Sequence, residues 1–126
     1  MATHVATKAQ TAPGATRLAI DPAELAAHAE TAAALLRAMG GKSRLLVLCN
    51  LVDGERSVGE LQRIVGLSQS ALSQHLAVLR RSKLVETRRE TQTIYYRLAG
   101  GAAAAVLETL HGIYCAPSAA GKSRGR

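Results

Sequence analysis

The stretch from Ser57 to Lys83 constrains this chain more than any other, because it spells two short helices joined by a tight turn. Ser57 and Glu60 stand at the spacing of a capping box, in which each side chain meets an otherwise unpaired backbone N–H. Val58, Leu61, Ile64 and Val65 then mark one buried face, and Gly66 falls where a helix ends in the left-handed conformation. Ser68 is the next N-cap, and Leu72, Leu76 and Leu79 give the second helix its inward face. Gln69, Ser70, Ser73, Gln74 and Ala77 are left pointing outward.

Those outward side chains are short, uncharged and rich in hydrogen-bonding groups. Near the N-terminus of a helix they suit entry into a major groove and contact with base edges. Arg80, Arg81 and Lys83 follow at the far end, where cations complement the helix dipole and come within reach of phosphates. On these two helices alone, a DNA reader and an ordinary helical hairpin with a solvated polar face stand level.

Composition narrows the choice. A net charge of +7 favours a polyanionic partner, of which duplex DNA is the commonest. At 126 residues the chain is expected to form one domain with a modest core, short for an enzyme with a deep cleft. No Trp and no Phe are present, so the core is aliphatic. The three tyrosines, Tyr95, Tyr96 and Tyr114, are too few and too clustered for a single-strand stacking platform. The two cysteines, Cys49 and Cys115, are too few for a disulfide-stapled secreted fold. No apolar run approaches the length of a membrane span, and the N-terminus lacks the apolar core of a secretory signal, so a cytoplasmic protein without membrane contact is expected. No Cys-x-x-Cys, catalytic-triad pattern or phosphate-cradling loop occurs, which argues against an enzyme.

Along the chain, residues 1–20 read as a disordered arm rich in Ala and Thr. Asp21 as N-cap with Pro22 at the first helical position starts a helix whose stripe, Leu25, Ala29, Ala32, Ala33 and Leu36, runs to about Met39. Its alanines allow close approach to a partner. Gly40 and Gly41 stop it. A second helix spans about Lys42 to Val52, with Leu45, Leu48, Cys49 and Val52 on one face, which places Cys49 at or near the core. Asp53 to Arg56 is a turn. After the reader helix, Leu84–Glu90 and Gln92–Leu98 read as a β-hairpin in which Ile94, Tyr96 and Leu98 alternate inward. Arg88, Arg89, Glu90, Thr91 and Gln92 stand around its tip, and a basic-tipped hairpin behind a helix-turn-helix is a wing. Gly100-Gly101 opens a last helix from Ala102 to about Cys115, with Val106, Leu107, Leu110, Ile113 and Tyr114 as its apolar positions. That stripe is broad enough for both its own core and a second subunit. Residues 21–116 form the folded domain on this reading, and 117–126 a basic disordered tail.

This order of elements resembles the ArsR/SmtB family of winged helix-turn-helix repressors over about Leu25 to Ala116. The most specific run is Leu67-Ser-Gln-Ser-Ala-Leu-Ser-Gln-His-Leu-Ala-Val-Leu-Arg, followed by Leu84-Val-Glu-Thr-Arg-Arg-Glu and Tyr95-Tyr-Arg-Leu98. The fold class is then mainly α with a small β-hairpin, a winged helix-turn-helix. The resemblance implies a homodimer through the first and last helices, an inducer that lowers DNA affinity, and a palindromic operator read by two helices about 34–36 Å apart. Carried over by position, Ser68, Gln69, Ser70, Ser73, Gln74 and His75 match the family's reading helix, with Arg80 and Arg81 at its end. Arg88, Arg89 and Gln92 match its wing. His75 lies between the Leu72 and Leu76 positions, which leaves an inward, structural placement open. Where many relatives carry glycine at the wing tip, this chain has Thr91.

Many family members sense metals through cysteines in the first helix of the helix-turn-helix, but Ser57 to Gln62 holds no thiol. Others place ligands along the last helix, where this chain offers Glu108 and His111. With Cys115 these share a helical face, but the spacing is not a zinc pattern, so neither metal nor cofactor is expected. The two cysteines instead resemble those of the BigR/SqrR subgroup, whose paired thiols sense persulfides and related reactive sulfur. Leu46 to Leu51, Asp53 to Leu61 and Ile113 to Pro117 carry the surrounding match. The resemblance implies a repressor of sulfide-detoxification genes, released from DNA when a small sulfur-containing inducer bridges Cys49 and Cys115. A metal-responsive repressor is the alternative, ahead of a sulfur-transfer enzyme or an interaction module that has lost DNA binding.

Overall fold

The computed structural model describes residues 18–115. Most of the two tails expected to be disordered, 1–20 and 117–126, lies outside the described residues. The chain divides into two units between Ala32 and Ala33.

In the first unit, α1 (Pro22–Ala26) is capped by Asp21, whose carboxylate accepts the Ala23 N–H at 3.0 Å, and Pro22 opens it. The single helix expected from Asp21 to Met39 is broken here. His28 N–H bonds to the Leu25 carbonyl at 2.9 Å, an i→i+3 bond that tightens the end of α1 before α2 (Ala29–Met39) begins.

The second unit takes up α2 at Ala33 and turns its Ala38 and Met39 into a core. α3 (Lys42–Cys49) follows, and its inward face is Val47 and Leu48, continued by Leu51 in the turn beyond. This corrects the expected face. The helix is rotated by about one residue, so Cys49 and Val52 are exposed while Val47 and Leu51 are buried.

β1 (Arg56–Ser57) runs directly into α4 (Val58–Val65). The capping box is present in full: the Glu60 N–H donates to Ser57 Oγ at 3.1 Å and the Ser57 N–H to Glu60 Oε1 at 2.8 Å. Leu61 is completely buried and Val58 and Val65 pack beside it, but Ile64, expected on the same face, is exposed. Gly66, at φ 76°, closes α4 in the left-handed region that a side chain disfavours. α5 (Gln69–Arg81) starts at Ser68, whose Oγ accepts the Ala71 N–H at 3.1 Å, and buries Leu72, Leu76 and Leu79. Truncating any one of these leucines to alanine costs about 2–5 kcal/mol.

β2 (Val85–Glu90) and β3 (Thr93–Leu98) form the expected hairpin, in register from Val85↔Leu98 to Glu90↔Thr93. Tyr96 is buried, with Ile94 and Leu98 packed beside it. The sheet has a third strand that two residues are too short to signal by alternation: β1 pairs with β3 through Arg56↔Tyr96 and Ser57↔Tyr95, in the order β1-β3-β2. α6 (Ala102–Tyr114) buries Ala103 and Leu107, with Val106 and Leu110 half-buried. Its remaining apolar residues, Ile113 and Tyr114, are 63% and 79% exposed. Among the described residues no helix is long and apolar enough to cross a membrane.

Candidate nucleic-acid interface and thiol pair

The leucines of α5 fix which of its sides meets solvent. With Leu72, Leu76 and Leu79 in the core, Gln69, Ser70, Ser73 and Gln74 are exposed, and Ala77 is half-buried. The face is free of charge until Arg80 and Arg81, both exposed in the last turn. Just beyond the end of α5, Lys83 takes φ 61°. There the Leu84 N–H reaches back to the Leu79 carbonyl at 2.9 Å, satisfying a helix-end acceptor.

A concave cleft of about 660 Å³ lies between α5 and the wing, floored by the start of α4. It gathers Gln69, Ser73 and Arg80 from the helix with Gln92 and Thr93 from the hairpin. Ser70, Gln74 and Arg81 are exposed on α5 but do not line this cleft, nor do Arg88 and Arg89 on β2. The polar face that the spacing predicted is therefore continuous with the loop end of the wing.

Two of the expected contact residues are already engaged. His75 is half-buried, and Arg44 Nη1 lies 3.3 Å from its Nδ1. Arg88 bonds Glu55 through Nε and Nη2, the latter at 2.8 Å, bonds Glu90 through Nη1 at 3.0 Å, and lies 4.6 Å from the Tyr95 ring centre. These partners raise the Arg88 pKa and hold the Glu55 carboxyl below its usual range, chiefly through the Arg88 hydrogen bond. Arg97 adds a bond to Glu86 at 2.6 Å and a longer pairing with Glu55 at 3.8 Å. Arg44 and Glu55, which the sequence did not single out, are the partners that engage these two residues. Neither belongs to a motif, and only an arginine in phase with Val47, Leu48 and Leu51 hinted at a structural task.

Outside that cleft, Cys49 closes α3 and Cys115 caps α6; both are free thiols and exposed. Cys49 lies in a second cleft, about 520 Å³, with Val52 and Asp53 on one wall and Ala104, Leu107, Glu108 and His111 of α6 on the other. Cys115 follows His111 by one turn, its N–H donating to the His111 carbonyl at 2.8 Å, so it sits on the same side of α6. Partial loss of solvent in the cleft pushes the Cys49 thiol up from its usual range, and the charge of Cys115 pushes it further. Among the described residues no three His, Cys, Asp or Glu side chains are grouped so as to hold a metal ion.

The sequence and the fold are both similar to those of known proteins. Residues 41–87 match the family model described as bacterial regulatory protein, arsR family. The transcriptional activator HlyU of Vibrio cholerae is 51% identical over 92 residues, 73% of this chain and 85% of that protein. A structure of reduced HlyU from that organism superposes with a TM-score of 0.69 at 50% identity, covering 74% of this chain and 98% of that one. The biofilm growth-associated repressor of Agrobacterium fabrum is 46% identical over 90 residues, 71% and 77% of the two chains. The crystal structure of the transcriptional repressor BigR from Xylella fastidiosa gives a TM-score of 0.73 at 42% identity, over 77% of this chain and 99% of that one. Helix-turn-helix, wing and flanking helices together make this chain a member of the ArsR family of DNA-binding transcriptional regulators.

Proposed function

We propose that this regulator is a dithiol-switched repressor that leaves its operator when reactive sulfur joins Cys49 to Cys115. The observation that carries the reading is the thiol pair itself. Two exposed cysteines close α3 and α6: Cys49 faces α6 across a cleft that shares no residue with the one beside α5, and Cys115 stands one turn beyond His111 of its far wall. Free cysteine is usually a buried small hydrophobe, and neither of these is buried.

The chemistry balances with a persulfide as the oxidant. The Cys49 thiolate attacks the outer sulfur of the persulfide R–S–SH, forming Cys49–S–SH and expelling the R–S⁻ thiolate, which takes up the proton Cys49 gave up. The Cys115 thiolate then attacks Cys49 Sγ, forming the Cys49–Cys115 bond and expelling hydrosulfide, which takes up the Cys115 proton and leaves as hydrogen sulfide. Two protein thiols are oxidised by two electrons, and the sulfane sulfur is reduced. Where Cys49 has taken up two sulfurs, as Cys49–S–S–SH, attack of the Cys115 thiolate on the middle sulfur expels hydrosulfide and leaves one extra sulfur atom within the bridge.

Such a bridge ties α3 to α6. In the proposed homodimer, the exposed Ile113 and Tyr114 of α6 and Leu36 of α2, 59% exposed, supply apolar surface for the partner. Two reading helices must match one turn of DNA, about 34–36 Å, so a small change at the α6 end alters affinity for a palindromic operator. Ser68, Gln69, Ser70, Ser73, Gln74, Arg80 and Arg81 would face the duplex, with Arg89 and Gln92 of the wing. Relatives named as repressors support that sign of control, and one relative described as reduced supports redox sensitivity. Glu108 and His111 share the Cys49 cleft, and a metal-responsive repressor is the alternative that zinc titration under reducing conditions separates.

Operator binding tests it. A duplex selected from a random pool by the wild-type protein is titrated before and after treatment with a persulfide donor. Wild type should lose most of its affinity and regain it with dithiothreitol, while Cys49→Ser and Cys115→Ser should stay bound. Release that persists in both variants would sink the mechanism.

A further inference from the structure

Arg44 is the third residue of α3, half-buried, and makes three polar contacts in three directions. Its Nε donates to the Ala38 carbonyl at 2.6 Å and its Nη2 to the Arg37 carbonyl at 3.1 Å. Both acceptors lie at the C-terminal end of α2, where carbonyls run out of intrahelical partners. Its Nη1 is 3.3 Å from Nδ1 of His75, midway along α5. A guanidinium only donates, so a hydrogen bond here requires Nδ1 as the acceptor and the ring proton on Nε2. One planar fork thereby joins the end of α2, the start of α3 and the flank of α5.

We propose that Arg44 and His75 form a strut that sets the rotation of α5 about its own axis, and that His75 is a positioning residue acting through Arg44 and not a reader of bases. The proposal rests on α5 being the DNA-reading helix and is independent of the thiol chemistry. Leu72, Leu76 and Leu79 hold α5 down, but aliphatic contacts are non-directional and tolerate rotation of a helix over its core. The Arg44–His75 bond is directional and lies to the side of that leucine row. Base-edge hydrogen bonds weaken beyond about 3.2 Å, so rotating Gln69, Ser73 and Gln74 by a few tenths of an ångström degrades all of them together. A lost reader, by contrast, relaxes preference at one base pair.

The selected operator duplex provides the test. His75→Leu keeps the volume and removes the acceptor, while His75→Asn keeps an acceptor at the Nδ1 position. His75→Leu should weaken binding about tenfold, and His75→Asn should stay within about twofold of wild type. Arg44→Lys, which replaces the fork by one ammonium, should match the His75→Leu loss, and the double variant should be no weaker than either single. Base preference in His75→Leu should flatten evenly across the half-site, with an unchanged slope of affinity against salt. Loss of preference at one base pair, or additive losses in the double variant, would overturn the strut. Nitrogen-15 NMR of the wild-type His75 ring gives a reading that does not depend on any variant folding: the proposal requires the Nε2–H tautomer, and a proton on Nδ1 contradicts it. Gln74→Ala checks the reading helix separately. If it alters no base preference, the assignment of α5 fails while the tautomer measurement still judges the strut.

Discussion

At the residue scale, Cys49 is an unusual choice for the proposed nucleophile, because the reactive form of a thiol is the thiolate and this cleft disfavours it. Restricted solvent and then the Cys115 charge hold the Cys49 thiol above its usual range. The sign follows directly. More of Cys49 is protonated at neutral pH than for a free thiol, so its reaction should accelerate with rising pH, about tenfold per pH unit while the pH stays below its pKa. Cys115→Ser removes the like charge and should shift that profile toward lower pH. Alkylation by a neutral reagent, followed by mass spectrometry, measures it; a flat profile from about pH 6 to 9 contradicts the assignment. Thr91 is the other residue under constraint. It takes φ 58° as the first residue of the two-residue wing loop, where favoured hairpin turns need positive φ and a β-branched residue is strained. Thr91→Gly should stabilise the fold by about 1 kcal/mol in denaturant titrations, and a loss of stability would show that the threonine makes a compensating contact.

At the scale of elements, the wing is less basic than its sequence suggests. Glu55, from the turn before β1, takes up Arg88 and approaches Arg97, while Glu86 and Glu90 take the remaining donors. Glu55→Gln should free Arg88 for phosphate. The expected result is tighter binding at low salt and a salt slope steeper by up to about one unit, read from titrations across ionic strength. Unchanged binding would mean that the wing stays clear of the backbone. The same elements show what was legible. α4 and α5 could be read because their signals are local: Ser57 with Glu60, Gly66, Ser68 and a clean leucine row. α3 could not be phased. Leu45 to Cys49 is an unbroken apolar run in an eight-residue helix, and such a run fits two faces equally well, so Cys49 was placed inward when it faces out. The break after Ala26 has no proline or glycine to announce it, and Ala103, completely buried, looks like any alanine in an alanine-rich segment.

At the scale of the molecule, the proposed switch and the proposed reader are joined by short, directional contacts. Asn50, next to Cys49, accepts Arg56 Nε through its carbonyl at 2.9 Å, and Arg56 begins the strand that leads into the capped start of α4. From the other end of α3, Arg44 reaches His75 on α5. A bridge that pulls Cys49 toward α6 therefore acts on a helix tied at both ends to the DNA-reading motif. The proposed pairing of Cys49 with Cys115 came from resemblance alone, since no spacing rule brings together residues so far apart in the chain. The likeness to activators and repressors alike leaves the trigger to be established on this chain's own thiols. The most direct measurement is the intact mass, with non-reducing peptide mapping, of protein that persulfide has just released from operator DNA. The account predicts a monomer-mass chain that has lost two hydrogens and gained a whole number of sulfur atoms, zero included, with the Cys49 and Cys115 peptides covalently joined. Released protein whose two cysteine peptides remain separate, modified singly or not at all, would contradict it.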